Sequence, residues 1–344
     1  MGSSYLFLII GAVLAFLLSY LLGYIVIPFL HKIKFGQTIL DIGPNWHKKK
    51  QGTPTMGGIL FIVGIIFSLA CVIITNLAMG NDVLCVGNET AQDAIRVKFY
   101  AGLIMAICFG GVGFFDDYIK VTKKRNLGLS IMQKTGLELL IMAGYLLSLY
   151  MQDQTYVFIP FYGNVELGIW MIPLGVIVMY CTVNAVNFTD GIDGLCGSVT
   201  AVFSAFMIVI AILRGYFGIG LLASCMVGAL AGYLIWNHYP AKVMMGDTGS
   251  MFLGGLVIAV AYGVDAPWII LIAGIVYVIE FLSDVIQIVY FHLTHGKRLF
   301  KMAPIHHHLE KCGWSESKID VVFCLLTVAG SAIALALCYF GRPV

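Results

Sequence analysis

Ten apolar stretches divide this chain, over about 5–30, 56–78, 99–115, 134–151, 168–186, 197–213, 218–236, 250–263, 267–291 and 319–340 of its 344 residues. A helix needs ~20 apolar residues to cross a bilayer, and most of these runs reach that length. The eighth is short, and polar residues interrupt the ninth. Hydrophobic residues make up 60% of the chain and charged ones only 11%, against about 25% charged in ordinary soluble domains, and the mean hydropathy is +0.94. Disordered, collagen-like, coiled-coil and disulfide-stapled secreted classes are thereby excluded. The nine cysteines fall mostly within apolar runs, and no two have C-x-x-C spacing, so neither a zinc site nor a disulfide framework is supported. The expected fold class is an all-α polytopic membrane protein of about ten transmembrane helices, forming a single transmembrane catalytic domain over 1–344. The first run is too long for a signal peptide and lacks a basic leader, so it reads as a retained helix.

The charges give the orientation. Of the 20 lysines and arginines, all but Arg96, Lys98, Arg214 and Arg342 lie in or beside the loops after the odd-numbered helices, as do all eight histidines. The positive-inside rule makes those loops cytoplasmic and both termini external. The even-numbered loops are short or chemically bland, whereas the odd-numbered ones hold every costly polar segment. Carboxylates at a membrane boundary must be paired, hydrated or metal-bound.

Four such segments stand out. Phe114-Phe115-Asp116-Asp117-Tyr118-Ile119-Lys120 ends the third helix. Its adjacent carboxylates repel each other and call for a cation such as Mg²⁺, although a solvated helix end would also carry such a pair. Asn184-Ala185-Val186-Asn187-Phe188-Thr189-Asp190-Gly191-Ile192-Asp193-Gly194 joins helices five and six. Its carboxylates, amides and glycines suit a metal or nucleotide loop, or else an Asx-rich turn, and no local lysine neutralises them. Gly246-Asp247-Thr248-Gly249-Ser250 precedes the eighth helix; Asp247 is either a ligand or a plain N-cap. A single Asp-Thr-Gly-Ser in a helical chain excludes an aspartic protease. Pro304-Ile305-His306-His307-His308-Leu309-Glu310 lies in the last cytoplasmic loop, lacks zincin spacing and suits phosphate near Lys and Arg. Glu280, Asp284 and Gln287 share one face of the ninth helix and should line a cavity. Carboxylates, basic residues and histidines on one membrane face suit a divalent metal holding a diphosphate. No Walker A loop and no dinucleotide fingerprint is present.

These segments, with Lys50-Gln51-Gly52-Thr53-Pro54-Thr55-Met56-Gly57-Gly58 and Pro240-Ala241-Lys242-Val243-Met244-Met245, resemble the phospho-N-acetylmuramoyl-pentapeptide transferases of the polyprenyl-phosphate N-acetylhexosamine-1-phosphate transferase superfamily. The motifs occur in the expected order in successive cytoplasmic loops, and the triple histidine after Pro-Ile is characteristic of the muramoyl branch. The resemblance implies transfer of phospho-MurNAc-pentapeptide from UDP-MurNAc-pentapeptide to undecaprenyl phosphate, with Mg²⁺, at the bacterial plasma membrane. The products are undecaprenyl-diphospho-MurNAc-pentapeptide (lipid I) and UMP. It implies Asp116, Asp117, Asp247 and His306 as catalytic residues, with Asp247 as the main metal ligand and Asp117 as a second. It assigns Lys50, Thr55, Lys120, Asn187, Asp190, Asp193, Asn237, Met244, Gly246, Gln287, His307 and His308 to substrate binding. Met244 departs from the many relatives with an aromatic residue there, so uracil would pack against a thioether. Membrane lipid is the expected surrounding, a homodimer a possible assembly, and nucleic acid no partner. Direct attack by the lipid phosphate and double displacement through an acyl-phosphate both fit these residues. A secondary transporter would instead place polar groups at the midplane, reachable from both sides, and a sister-branch transferase would use another UDP-sugar.

Overall fold

The structure is a computed structural model that describes residues 2–33, 52–86, 92–123 and 127–342. Among the described residues, twelve α-helices follow one another: α1 (Gly2–Lys32), α2 (Gly58–Ala78), α3 (Gln92–Thr122), α4 (Ile131–Tyr150), α5 (Met171–Thr189), α6 (Leu195–Arg214), α7 (Phe217–Asn237), α8 (Gly246–Gly263), α9 (Ile269–Ile272), α10 (Ile275–Leu293), α11 (Ile305–Lys311) and α12 (Glu316–Phe340). Among the described residues, eight segments are long and apolar enough to cross a membrane: α1, α2, α3, α5 with the turn before it, α6, α7, α10 and α12. The other two expected crossings, α4 and α8, are less apolar for a local reason. The first turns of α4 carry Gln133, Lys134 and Glu138, and α8 opens on Gly-Asp-Thr-Gly-Ser.

Three local expectations change. The ninth apolar run is two helices, because the chain breaks at Ala273–Gly274, where a side chain at Gly274 would meet the Ile270 carbonyl at 2.4 Å. The loop after α4 is not bland: it folds into an antiparallel hairpin, β1 (Tyr156–Ile159) with β2 (Gly163–Glu166), in register Val157↔Val165. The triple histidine lies in α11 rather than in a loop.

The centre of the molecule is α8, buried along nearly its whole length, as a helix that is apolar all round should be. It runs antiparallel to α3 at very short range because small residues remove the side chains between them. A Cβ on Gly102 would come within 2.9 Å of Ala259, one on Gly255 within 2.6 Å of Ala106, and one on Gly113 within 2.1 Å of the Asp247 carbonyl. The same device joins α1 to α7, where Gly228 and Gly232 face the carbonyls of Ala12 and Phe16.

The two ends of α3 carry different polar clusters. Lys98 and Asp116 are 18 residues apart, ~27 Å at 1.5 Å per residue, close to one hydrocarbon thickness. At the Lys98 end, the ammonium pairs with Asp265 at 2.6 Å, with both side chains at most 3% exposed. The Tyr216 hydroxyl donates to the same carboxylate, and the rings of Tyr216 and Tyr156 face the ammonium. The hairpin docks on this knot through Phe158 N–H to the Asp265 carbonyl (2.7 Å) and Trp268 Nε1–H to the Phe158 carbonyl (2.7 Å). Removing one partner strands a buried charge, at about 3–5 kcal/mol. Asp265→Asn should therefore lower the thermal unfolding midpoint of the detergent-purified protein markedly. Lys98→Met combined with Asp265→Asn should recover part of the loss; a double variant no better than the single would show that the charges do not interact.

Candidate active site

At the other end of α3, the close approach of α3 and α8 brings three carboxylates together. One oxygen each from Asp116, Asp117 and Asp247 lies within 4.8 Å of the others. Adjacent helix residues project about 100° apart, so Asp116 and Asp117 take separate partners. Asp116 accepts from the Leu129 N–H (2.7 Å) and pairs with Lys120 (2.6 Å). Asp117 accepts from both the backbone N–H (2.9 Å) and the hydroxyl (2.8 Å) of Thr248. It thus satisfies an orphan donor of the first turn of α8, the role a local N-cap would fill. Asp247 is not that cap: it lies within the first turn, whose N-cap is Met245.

Asp247 is instead the hub. Its Oδ2 receives Lys120 and Lys134, each at 3.1 Å, and its Oδ1 receives the Asn187 amide at 3.2 Å. Asn187 also donates to the Ser250 hydroxyl at 2.8 Å. Gly246 has φ +70°, and a Cβ there would lie 2.5 Å from both Asp117 Oδ2 and Thr55 Oγ1; both backbone and space require glycine. Thr55 reaches this position because its segment is paired to the start of α8, with Gly57 N–H to Met244 O (2.8 Å) and Met244 N–H to Pro54 O (2.8 Å).

Asp190 follows α5 and is half-buried beside the cluster. Burial, and then the charges of Asp247, Asp117 and Asp193, hold its carboxyl well above the usual range, with the Gly246 amide opposing. Asp193 and Asn237 are hydrogen-bonded to loop backbone. Asp193 accepts from the Ala241 N–H (2.9 Å), and Asn237 accepts from the Gly194 N–H (3.2 Å) while donating to the Val243 carbonyl (2.9 Å). Together they fasten the Asp-Gly-Ile-Asp-Gly loop to the segment that leads into α8. Lys50 lies outside the described residues.

The Glycosyl transferase family 4 pattern matches residues 99–265, the stretch from α3 to the end of α8. The phospho-N-acetylmuramoyl-pentapeptide-transferase signature 1 matches residues 50–62. The chain is 44% identical over 331 residues to the phospho-N-acetylmuramoyl-pentapeptide-transferase of Clostridium perfringens (strain SM101), covering 96% of both chains. It is 42% identical to that of Clostridium botulinum (strain Alaska E43), over 95% of this chain and 93% of that one. With that of Caldicellulosiruptor bescii it shares 39% identity, over 96% of this chain and 97% of that one. The chain belongs to the phospho-N-acetylmuramoyl-pentapeptide-transferase family.

For a phospho-N-acetylmuramoyl-pentapeptide-transferase family member, the histidine segment is arranged unevenly. Because α11 is helical, its three imidazoles diverge. His306 is fully buried, pairs with Glu280 at 2.8 Å and packs on Gly191. His307 bonds Glu310 (2.7 Å), and His308 Nδ1 accepts from the Lys301 N–H (3.1 Å). Gln287 accepts from the N–H groups of Phe300 (2.9 Å) and Leu299 (3.2 Å), and so braces the following loop. It also lines a separate cleft with Asp284, Arg298 and Lys311. Only His306 of the three touches the Asp190 loop among the contacts described. Lys134 and Thr248 belong to the cluster but are not among the residues that the sequence motifs assign to the site. Lys134, a rare charge at the head of an apolar helix, carries a signal; Thr248, a neutral hydroxyl at a helix start, carries none.

Three carboxylates, each with an oxygen within 4.8 Å of the others, form a group of hard donors of the kind a divalent metal ion takes. Gly113→Ala would drive a Cβ into the Asp247 carbonyl and part α3 from α8. Mn²⁺ binding, read by electron paramagnetic resonance on the purified protein, should weaken about tenfold or more, as when a support of a metal ligand is lost. Unchanged binding would mean the carboxylates do not depend on this contact.

Proposed function

We propose that the chain transfers phospho-MurNAc-pentapeptide from UDP-MurNAc-pentapeptide to undecaprenyl phosphate, yielding undecaprenyl-diphospho-MurNAc-pentapeptide and UMP. The observation that carries this reading is the convergence of Asp116, Asp117 and Asp247 with Lys120 and Lys134 at one end of the bundle. Family membership supports the choice of substrates. In this reading α4 and α8 also cross the bilayer, giving ten spans with both termini external and the acidic end cytoplasmic. The segregation of lysines and histidines supports that orientation.

Asp117 and Asp247 would hold Mg²⁺, with Asp116 beside them. When bound, the ion supplies Lewis-acid neutralisation of the donor diphosphate. The residues themselves do the positioning. Thr248 fixes the Asp117 carboxylate, and Asn187 and the lysines fix Asp247. Asp116 orients the lipid phosphate; a phosphate monoester with a second pKa of about 6 is already largely deprotonated at neutral pH, so no strong base is required. A phosphate oxygen of the lipid attacks the sugar-bearing phosphorus, and the bond from that phosphorus to the UMP oxygen breaks. Lys120 and Lys134 lie where they can offset charge on the departing phosphate. Direct displacement inverts the configuration at phosphorus, and a chiral-phosphate donor should report inversion; retention would require an aspartyl-phosphate intermediate.

Purified protein with undecaprenyl phosphate and Mg²⁺ should release UMP from UDP-MurNAc-pentapeptide and not from UDP-GlcNAc. Asp247→Ala should keep the wild-type thermal midpoint within a few degrees while turnover falls by about 10³-fold, the scale of losing electrostatic stabilisation at a reacting centre. Full activity in Asp247→Ala would reduce that residue to a helix-end side chain, and release from UDP-GlcNAc alone would move the chain to a sister activity.

A further inference from the structure

Beside the carboxylate cluster, one buried polar pair has more hydrogen-bonding capacity than it uses. Glu280 of α10 and His306 of α11 are both 0% exposed, and His306 Nδ1 lies 2.8 Å from Glu280 Oε2. An ionised carboxylate only accepts, so Nδ1 donates. His306 Nε2 and Glu280 Oε1 have no partner, whereas buried polar atoms are almost always paired, and exceptions call for a functional or solvent explanation. Nε2 packs directly against the acidic loop: a Cβ on Gly191 would lie 2.1 Å from it, and Gly191 directly follows Asp190. The pair is held from the side by stacking of Phe188 on Phe281, with ring centroids 6.2 Å apart. This contact ties the end of α5 to the helix that carries Glu280.

We propose that Glu280 is a positioning residue for the transfer, fixing the His306 ring against Gly191 so that the Asp190–Gly191 loop is held in place beside the carboxylate cluster. The inference rests on the transferase reading above. It explains why a carboxylate is buried where a structural role alone would be filled at lower cost by an apolar side chain. It also explains why residue 191 has no side chain: any Cβ would fill the space that Nε2 occupies. His306 then supports the loop and Glu280 acts only through it, as carboxylates that orient imidazoles commonly do.

Glu280→Gln keeps the shape and removes the charge. It should lower kcat for UMP release by ~10²-fold, as loss of an orienting partner does. KM for UDP-MurNAc-pentapeptide should stay within about twofold, and the thermal midpoint should change little. His306→Gln should lose as much, and the double variant no more than either single, because both remove one arrangement. Full kcat in Glu280→Gln beside an active wild type would overturn the proposal, as would single losses that multiply in the double variant. Collapse of the thermal midpoint in both Glu280→Gln and Glu280→Asp would assign the pair to stability alone and overturn it too. A wild type that releases no UMP from this donor would instead defeat the transferase reading, and this inference with it.

Discussion

The contact of α3 with α8 through Gly113 is what the site depends on. Three carboxylates sharing a space under 5 Å across repel one another, and no sequence of side chains assembles them unless the backbone leaves no alternative. With the Asp247 carbonyl 2.1 Å from where a Gly113 side chain would begin, Asp116 and Asp117 one turn further on cannot avoid the head of α8. The repulsion is then offset locally, by Lys120 and Lys134 and by the Thr248 amide and hydroxyl. Asp117 gains twice from this geometry, as a candidate ligand and as the acceptor for a helix terminus whose own dipole favours negative charge.

Composition and apolar periodicity disclosed the helical membrane class, and the acidic motifs marked three carboxylates that the fold brings together at one end of the bundle. Those signals are legible because a charge beside an apolar run is costly wherever it lands. What the sequence concealed is which polar residues are spent on holding the loops. Asn237 and Gln287 look like ligands in a motif, yet their amides are committed to backbone groups of Gly194, Val243, Leu299 and Phe300. Such partners are distant in sequence, and amide side chains carry no mark that separates a brace from a ligand. The histidine run hid for another reason. Three identical residues have no periodicity, so the helical turn that sends His306 inward and His307 and His308 elsewhere left no trace.

The two polar clusters on α3 also differ in kind. At the hairpin end, Lys98, Asp265 and Tyr216 are mutually satisfied, and the burial of these three groups is compensated within the protein. At the acidic end, Asp190 is held against ionisation by burial and then by its carboxylate neighbours, while His306 Nε2 and Glu280 Oε1 remain without partners. Complete pairing makes a rigid strut, whereas unspent charge and hydrogen-bonding capacity have a use only when something else supplies the complement. A diphosphate with its cation has that complement in both signs: positive charge for the carboxylates, and anionic oxygens for the lysines. The asymmetry between the ends of one helix therefore argues for ligand binding at the Asp116 end independently of any family resemblance.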